Sequence, residues 1–213
     1  HRLLNTLRSR GFIEQDDDSG KYYLGLKTFE IGNAAKKNIN LITIAKPYLQ
    51  DLVDQCNETT NLAILDKGQV VYVDQVASTN MVKMFAQIGS RGPAYCTGTG
   101  KALLAYEEPE QWDELFAEMD FRKFTDNTKV DPEVLKAELK EIRQQGYAID
   151  RGEMEEGVRC VAAPIKNHEG EVIAAVSVSG PSIRMTEEYI EEEVIETVME
   201  VAGQISARLG YRI

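Results

Sequence analysis

Apolar positions along this chain change their period several times, and each change predicts an element. Leu3, Leu4 and Leu7 recur at helical spacing, and Gly11 ends that run. Phe12-Ile13, a polar turn from Asp16 to Gly20, and Lys21-Tyr22-Tyr23-Leu24 then predict strand, turn and strand. The result is a β-ribbon behind a basic helix. The opening helix has no partner helix for its leucines, so a preceding segment is expected to pack there. Leu26, Phe29, Ile31 and Ala34 predict a connecting helix of modest apolarity over 25–38, with a domain boundary near Asn38-Ile39-Asn40.

Leu41, Ala45, Tyr48, Leu49, Leu52, Val53 and Cys56 repeat at three and four, which predicts an amphipathic helix bent by Pro47 or carrying it near its start. Thr60–Asp66 and Gln69–Val76, separated by Lys67-Gly68, read as a hairpin, and Met81–Ile88 as a further strand. Helices are predicted from about Thr99, near Pro109, and from Asp131-Pro132 to Gly146, with Asp131 as N-cap and Pro132 at the first helical position. Strands follow at Tyr147–Asp150, Val158–Ile165 and Glu171–Ser179, the last two joined through Asn167-His168-Glu169-Gly170. A long helix from about Thr186 to Leu209 closes the chain. The order is that of a mixed α/β (α+β) sensor domain, a mostly antiparallel sheet flanked by helices.

Composition narrows the partners. At 213 residues the chain holds one sizeable core, or one core and an appendage. Its formal net charge of -11 excludes adsorption to nucleic acid through the general field. The charge is uneven, however: residues 1–12 carry Arg2, Arg8 and Arg10 and no acid, whereas residues 187–200 carry seven glutamates and no base. The acidic run reads as a solvated helix face. No apolar run approaches the ~20 residues of a membrane span, and no signal peptide is expected. Cys56, Cys96 and Cys160 are far apart and odd in number, which fits a reduced, cytoplasmic chain. The only histidines are His1 and His168, so a dedicated transition-metal site is not expected; no cofactor is expected either.

The candidate chemistry starts at Thr97-Gly98-Thr99-Gly100, a turn running straight into Lys101-Ala102-Leu103-Leu104-Ala105. Glycines let a guest approach the backbone, and the first N–H groups of a helix attract anions. The turn therefore reads as a seat for a small carboxylate. A last hairpin centred between His168 and Glu169 would set Cys160 opposite Ser177 and put Cys160, Ala162, Ser177 and Ser179 on one face. Asp150 ends the preceding strand and is expected at the same rim. An ionised Asp150 repels an anion, so its partner on a ligand should be a hydroxyl or another donor. A cysteine nucleophile needs an activating base, and His168 falls at the far end of the hairpin. No Ser-His-Asp order or carboxylate pair stands out, so catalysis is not expected.

Three stretches together, Arg91–Ala105, Gly157–Pro164 and Ala174–Pro181, resemble the IclR family of bacterial transcriptional regulators. The resemblance covers essentially the whole chain. It implies a truncated winged helix-turn-helix over 1–24, a linker helix over 25–40 and a GAF-like effector-binding domain over 41–213. It also implies effector contacts from the amides of Gly98 and Thr99 and from Asp150, Cys160, Ser177 and Ser179. The implied function is a ligand-responsive repressor that works as a homodimer or homotetramer. It would bind operator DNA and sense a keto, hydroxy or sugar acid. Arg2, Asn5, Arg8, Arg10 and Lys21 would then face DNA, phosphates above all. The rival reading is a stand-alone sensing module acting through a protein partner.

Overall fold

The computed structural model describes residues 2–17, 19–38 and 40–212, with backbone alone over 33–38 and at 40. His1, Asp18 and Ile39, on which parts of the first helix, the first turn and the expected boundary fall, lie outside the described residues, as does the side chain of Ala34. The chain forms two compact units, 1–43 and 44–213.

In the first unit α1 (Arg2–Ser9) is followed by the hairpin β1 (Ile13–Gln15) and β2 (Tyr22–Leu24), then by α2 (Leu26–Asn38). Gly11 takes φ +74° and ends α1, its N–H donating to the Arg8 carbonyl at 3.0 Å. A side chain at Gly25 would lie 2.3 Å from the Gly11 carbonyl oxygen, so only glycine lets the two turns touch. Leu3 is exposed, and α1 buries none of its residues.

The units divide within α3 (Asn40–Cys56), which carries Pro47 in its interior. The second unit is built on a six-stranded sheet in the order β5-β4-β3-β8-β7-β6, antiparallel at every pairing. Its strands are β3 (Thr59–Asp66), β4 (Gln69–Val76), β5 (Arg91–Pro93), β6 (Ala148–Asp150), β7 (Val158–Lys166) and β8 (Val172–Pro181). One core lies between the sheet and the helices α4 (Gly98–Leu104), α5 (Trp112–Ala117) and α6 (Pro132–Gln145), where Ala63, Ala162 and Ala175 meet Leu104, Trp112, Leu135 and Leu139. The Trp112 indole donates to the Leu104 carbonyl at 2.9 Å, so its polar edge is satisfied inside that core. Asp131 caps α6 by accepting from the Glu133 N–H at 2.8 Å, and Gly146 ends the helix at φ +84°. At the C-terminal end, Thr186 caps α7 (Glu187–Tyr189), a π turn follows over Ile190–Val194, and α8 (Ile195–Arg208) runs across β7 and β8. The π turn, absent from the sequence-based expectation, leaves both Ile190 and Val194 buried. Among the described residues no helix is long and apolar enough to cross a membrane.

Two expectations are corrected. Met81–Ile88 is not a strand. It is an irregular loop whose Met81, Val82 and Phe85 side chains face outward, and the sheet edge beside β4 is taken by β5. Side chains, not a ladder, hold that loop: Thr59 donates to the Met84 carbonyl and Arg184 to the Val82 carbonyl, both at 2.8 Å. The last hairpin is also displaced. Asn167 and Glu171 close a loop in which Gly170 adopts φ +85°, and a bulge follows at Ile165/Lys166. Cys160 therefore pairs with Ser179, and Ser177 with Ala162. The slip is even, so each side chain keeps its expected face.

Candidate functional site

The site is assembled where α4 starts against β7. Thr97 is the N-cap, its hydroxyl accepting from the Gly100 N–H at 3.2 Å and donating to the Pro93 carbonyl at 3.0 Å. Both glycines are needed for close approach. A Cβ at Gly98 would lie 2.8 Å from the Cys160 sulfur, and one at Gly100 would lie 2.2 Å from the Ala94 carbonyl oxygen. The first amides of α4, including those of Gly98 and Thr99, have no acceptor within the helix.

Beside this start lies a cavity of about 70 Å³. Gly98, Thr99, Asp150, Cys160 and Ser179 all line it, and Tyr72, Met84, Met154 and Val158 supply an apolar wall. Asp150 and Cys160 are direct partners across β6 and β7, and Cys160 and Ser179 across β7 and β8, so three neighbouring strands deliver the three side chains side by side. Ser177 does not line the cavity; it is buried one strand period away. The Asn61 amide donates to both Ser177 and Ser179 at 3.4 Å, and Gln75 fixes that amide by donating to its oxygen at 2.9 Å. Ser177 thus supports the cavity through Asn61.

Burial governs the site's acidities. It pushes the Asp150 carboxyl up to about 7, against the opposing N–H bond from Glu153 at 2.7 Å. It likewise pushes the Cys160 thiol to about 11, with the Ser179 hydrogen bond opposing, and the Cys96 thiol to about 12. Both sulfurs are thiols at neutral pH and poor nucleophiles. His168 stands 70% exposed at the hairpin tip, so this imidazole does not activate them. Among the described residues no group of histidine, cysteine and carboxylate side chains is arranged to hold a metal.

The sequence reading missed Lys101. Its side chain is fully buried, and Nζ donates to Glu138 Oε1 and the Ile149 carbonyl, each at 2.8 Å, and to Glu153. Burial opposes the charge, but Glu153 and Glu138 outweigh it and hold the lysine pKa above its usual value. Lys129 reaches the other oxygen of Glu138 at 2.9 Å. This cluster ties α4 and α6 to β6 and to the loop that follows Asp150. The only sequence signal was a lysine inside an otherwise apolar helix.

Arg2, Asn5, Arg8, Arg10 and Lys21 are all exposed on α1 and the adjoining hairpin. Arg8 donates to Gln15 at 3.2 Å, tying helix to hairpin. A larger groove of about 530 Å³, lined by Tyr106, Lys166, Met199 and Tyr211, contains none of the expected site residues.

Residues 33–207 match the family described as Bacterial transcriptional regulator IclR C-terminal. The chain belongs to the IclR family. This family member is 36% identical over 211 residues to the HTH-type transcriptional regulator KdgR of Escherichia coli K12, covering 99% of the chain and 80% of the relative. Its fold is similar to the IclR structure of Thermotoga maritima, with a TM-score of 0.82 and 35% identity over 99% of this chain and 84% of that one. It is also similar to an IclR homolog from Microbacterium hydrocarbonoxydans complexed with 4-hydroxybenzoate, with a TM-score of 0.83 and 27% identity over 98% and 84% of the two chains. Relatives of this family member are named as transcriptional regulators or repressors, not as enzymes.

Proposed function

We propose that this chain is a ligand-responsive, DNA-binding repressor whose cavity beside α4 takes a small organic acid. The observation that carries the reading is the convergence of Gly98, Thr99, Asp150, Cys160 and Ser179 on one cavity. Amides from the helix start would receive the carboxylate. Ser179 and the neutral Cys160 thiol would meet the remaining polar atoms, while Tyr72, Met84 and Met154 shape the space for carbon. Arg2, Asn5, Arg8, Arg10 and Lys21 form the matching DNA-facing set, because an exposed basic helix beside a hairpin suits phosphate contact. The protein would act as a cytoplasmic homodimer or homotetramer on paired operator half-sites.

Regulation follows as a population shift. An acid that binds one arrangement of the paired chains better biases the spacing of their DNA-binding heads. A coupling of about 1–3 kcal/mol changes operator affinity roughly 5–150-fold. Membership of the IclR family favours this reading over a stand-alone module acting through a protein partner.

Thermal-shift screening with pyruvate, lactate, gluconate and 4-hydroxybenzoate selects the acid. With it, the double variant Cys160→Ser/Ser179→Ala should need about tenfold more acid for the same operator release, the loss of roughly one or two hydrogen bonds. Its operator affinity without acid should equal that of the parent. An unchanged acid response would remove the cavity from the mechanism.

A further inference from the structure

The cavity has an unusual charge balance. Asp150 and Glu155 are the carboxylic acids on its lining, and neither lysine nor arginine lines it. The cations behind it are already matched: Lys101 by Glu153 and Glu138, and Lys129 by Glu138. Arg151 and Arg159 both turn to Glu187. Asp150 therefore has no cation of its own, although it is only 5% exposed. An acid entering about 70 Å³ brings a second carboxylate beside it. Two enclosed like charges with no cation between them cannot both persist cheaply.

We propose that the cavity binds its acid together with one proton, carried on the Asp150 carboxyl, and so selects monoanions over dianions of similar size. This inference rests on the functional reading above. Asp150 then serves as a hydrogen-bond donor toward the bound acid, with its other oxygen fixed by the Glu153 N–H at 2.7 Å. No covalent step is involved; the proton comes from solvent and leaves with the ligand.

The groups facing Asp150 pull both ways, and burial prevails. Burial and the Glu153 charge favour its neutral form, and the Glu153 and Gly152 N–H groups and the Lys101 charge oppose them in part. Cys160 on β7, Cys96 in the turn before α4 and Tyr72 on β4 are held neutral, at about 11, about 12 and about 12. Glu155 lies on the exposed side of the loop, and Glu138 acts only through Lys101. Asp150 at about 7 is therefore the group that titrates in the working range. A bound anion raises that value further, so acid affinity should fall as pH rises above it, by up to about tenfold per pH unit.

The test uses the whole chain in calorimetric titrations with pyruvate, lactate and gluconate, and with oxalate and malonate as dianions. Each is run at pH 8 in two buffers of different ionisation enthalpy, and the Asp150 carboxyl is followed by carbon NMR in the ligand-free protein, assigned with Asp150→Asn. Expected are a free carboxyl titrating near about 7, uptake of roughly 0.5–1 proton with a monoanion, and dianions bound at least about tenfold more weakly. Glu153→Gln keeps the backbone N–H and removes the charge, so it should lower the Asp150 midpoint. A carboxyl already ionised at pH 6, binding without proton uptake, or equal affinity for dianions overturns the inference while leaving the acid site intact. Failure of every acid to bind overturns the functional reading and this inference with it.

Discussion

Replacing Lys101 by methionine is expected to destabilise the protein by about 3–5 kcal/mol, the cost typical of removing one partner from a buried ion pair. Methionine has a similar length and fills the same space. What is lost are three hydrogen bonds and the positive charge that faces Glu138 and Glu153. Glu153 is 3% exposed, and its second oxygen has no hydrogen-bond partner among the described residues. Without Lys101 that carboxylate is left buried with no cation beside it. Urea unfolding measures the loss. The triple variant Lys101→Met/Glu138→Gln/Glu153→Gln should recover a large part of it, because no buried charge is then left unpaired. A single-variant loss below about 1 kcal/mol would show that this cluster does not hold the loop.

Gly98→Ala should act on function more than on stability. The new methyl would stand 2.8 Å from the Cys160 sulfur and 3.3 Å from the Cys160 carbonyl oxygen, so β7 and the start of α4 must separate. Overpacking of this kind costs about 1–3 kcal/mol. The cavity is only about 70 Å³, and a methyl group at its wall leaves little room for an acid. Operator release by the acid should therefore disappear, while operator affinity without acid persists. Gly98→Ala/Cys160→Ala should regain stability by relieving the sulfur contact and should stay unresponsive. A responsive Gly98→Ala protein would place the acid elsewhere.

Much of this site is legible in the chain because local rules fix it. Alternation along β7 and β8 puts Cys160 and Ser179 on one face whichever even register the hairpin adopts. The exact partner was not legible: the turn at Gly170 and the bulge at Ile165/Lys166 move Cys160 from Ser177 to Ser179. Those features depend on backbone geometry that composition alone does not encode. Met81–Ile88 failed for a different reason. Its apolar residues imitate a strand, but Thr59 and Arg184 claim its carbonyls, and Met84 is carried to the cavity wall. Lys101 was invisible because Glu138 and Glu153 are distant in sequence, and only the folded chain shows a lysine buried against two acids. The raised acidity midpoint of Asp150 was equally hidden, since it follows from burial. The carboxylate expected to repel an anion is brought by burial to a titration at about 7, and the proposed role as donor rests on the bound acid completing its protonation.

The most direct measurement is a crystal structure of the protein with the acid that stabilises it most in the thermal-shift panel. The acid should lie between the amides of Gly98 and Thr99 and the side chains of Asp150, Cys160 and Ser179. Ordered acid in the groove lined by Tyr106, Lys166 and Tyr211, with the cavity beside α4 unchanged, would contradict the assignment.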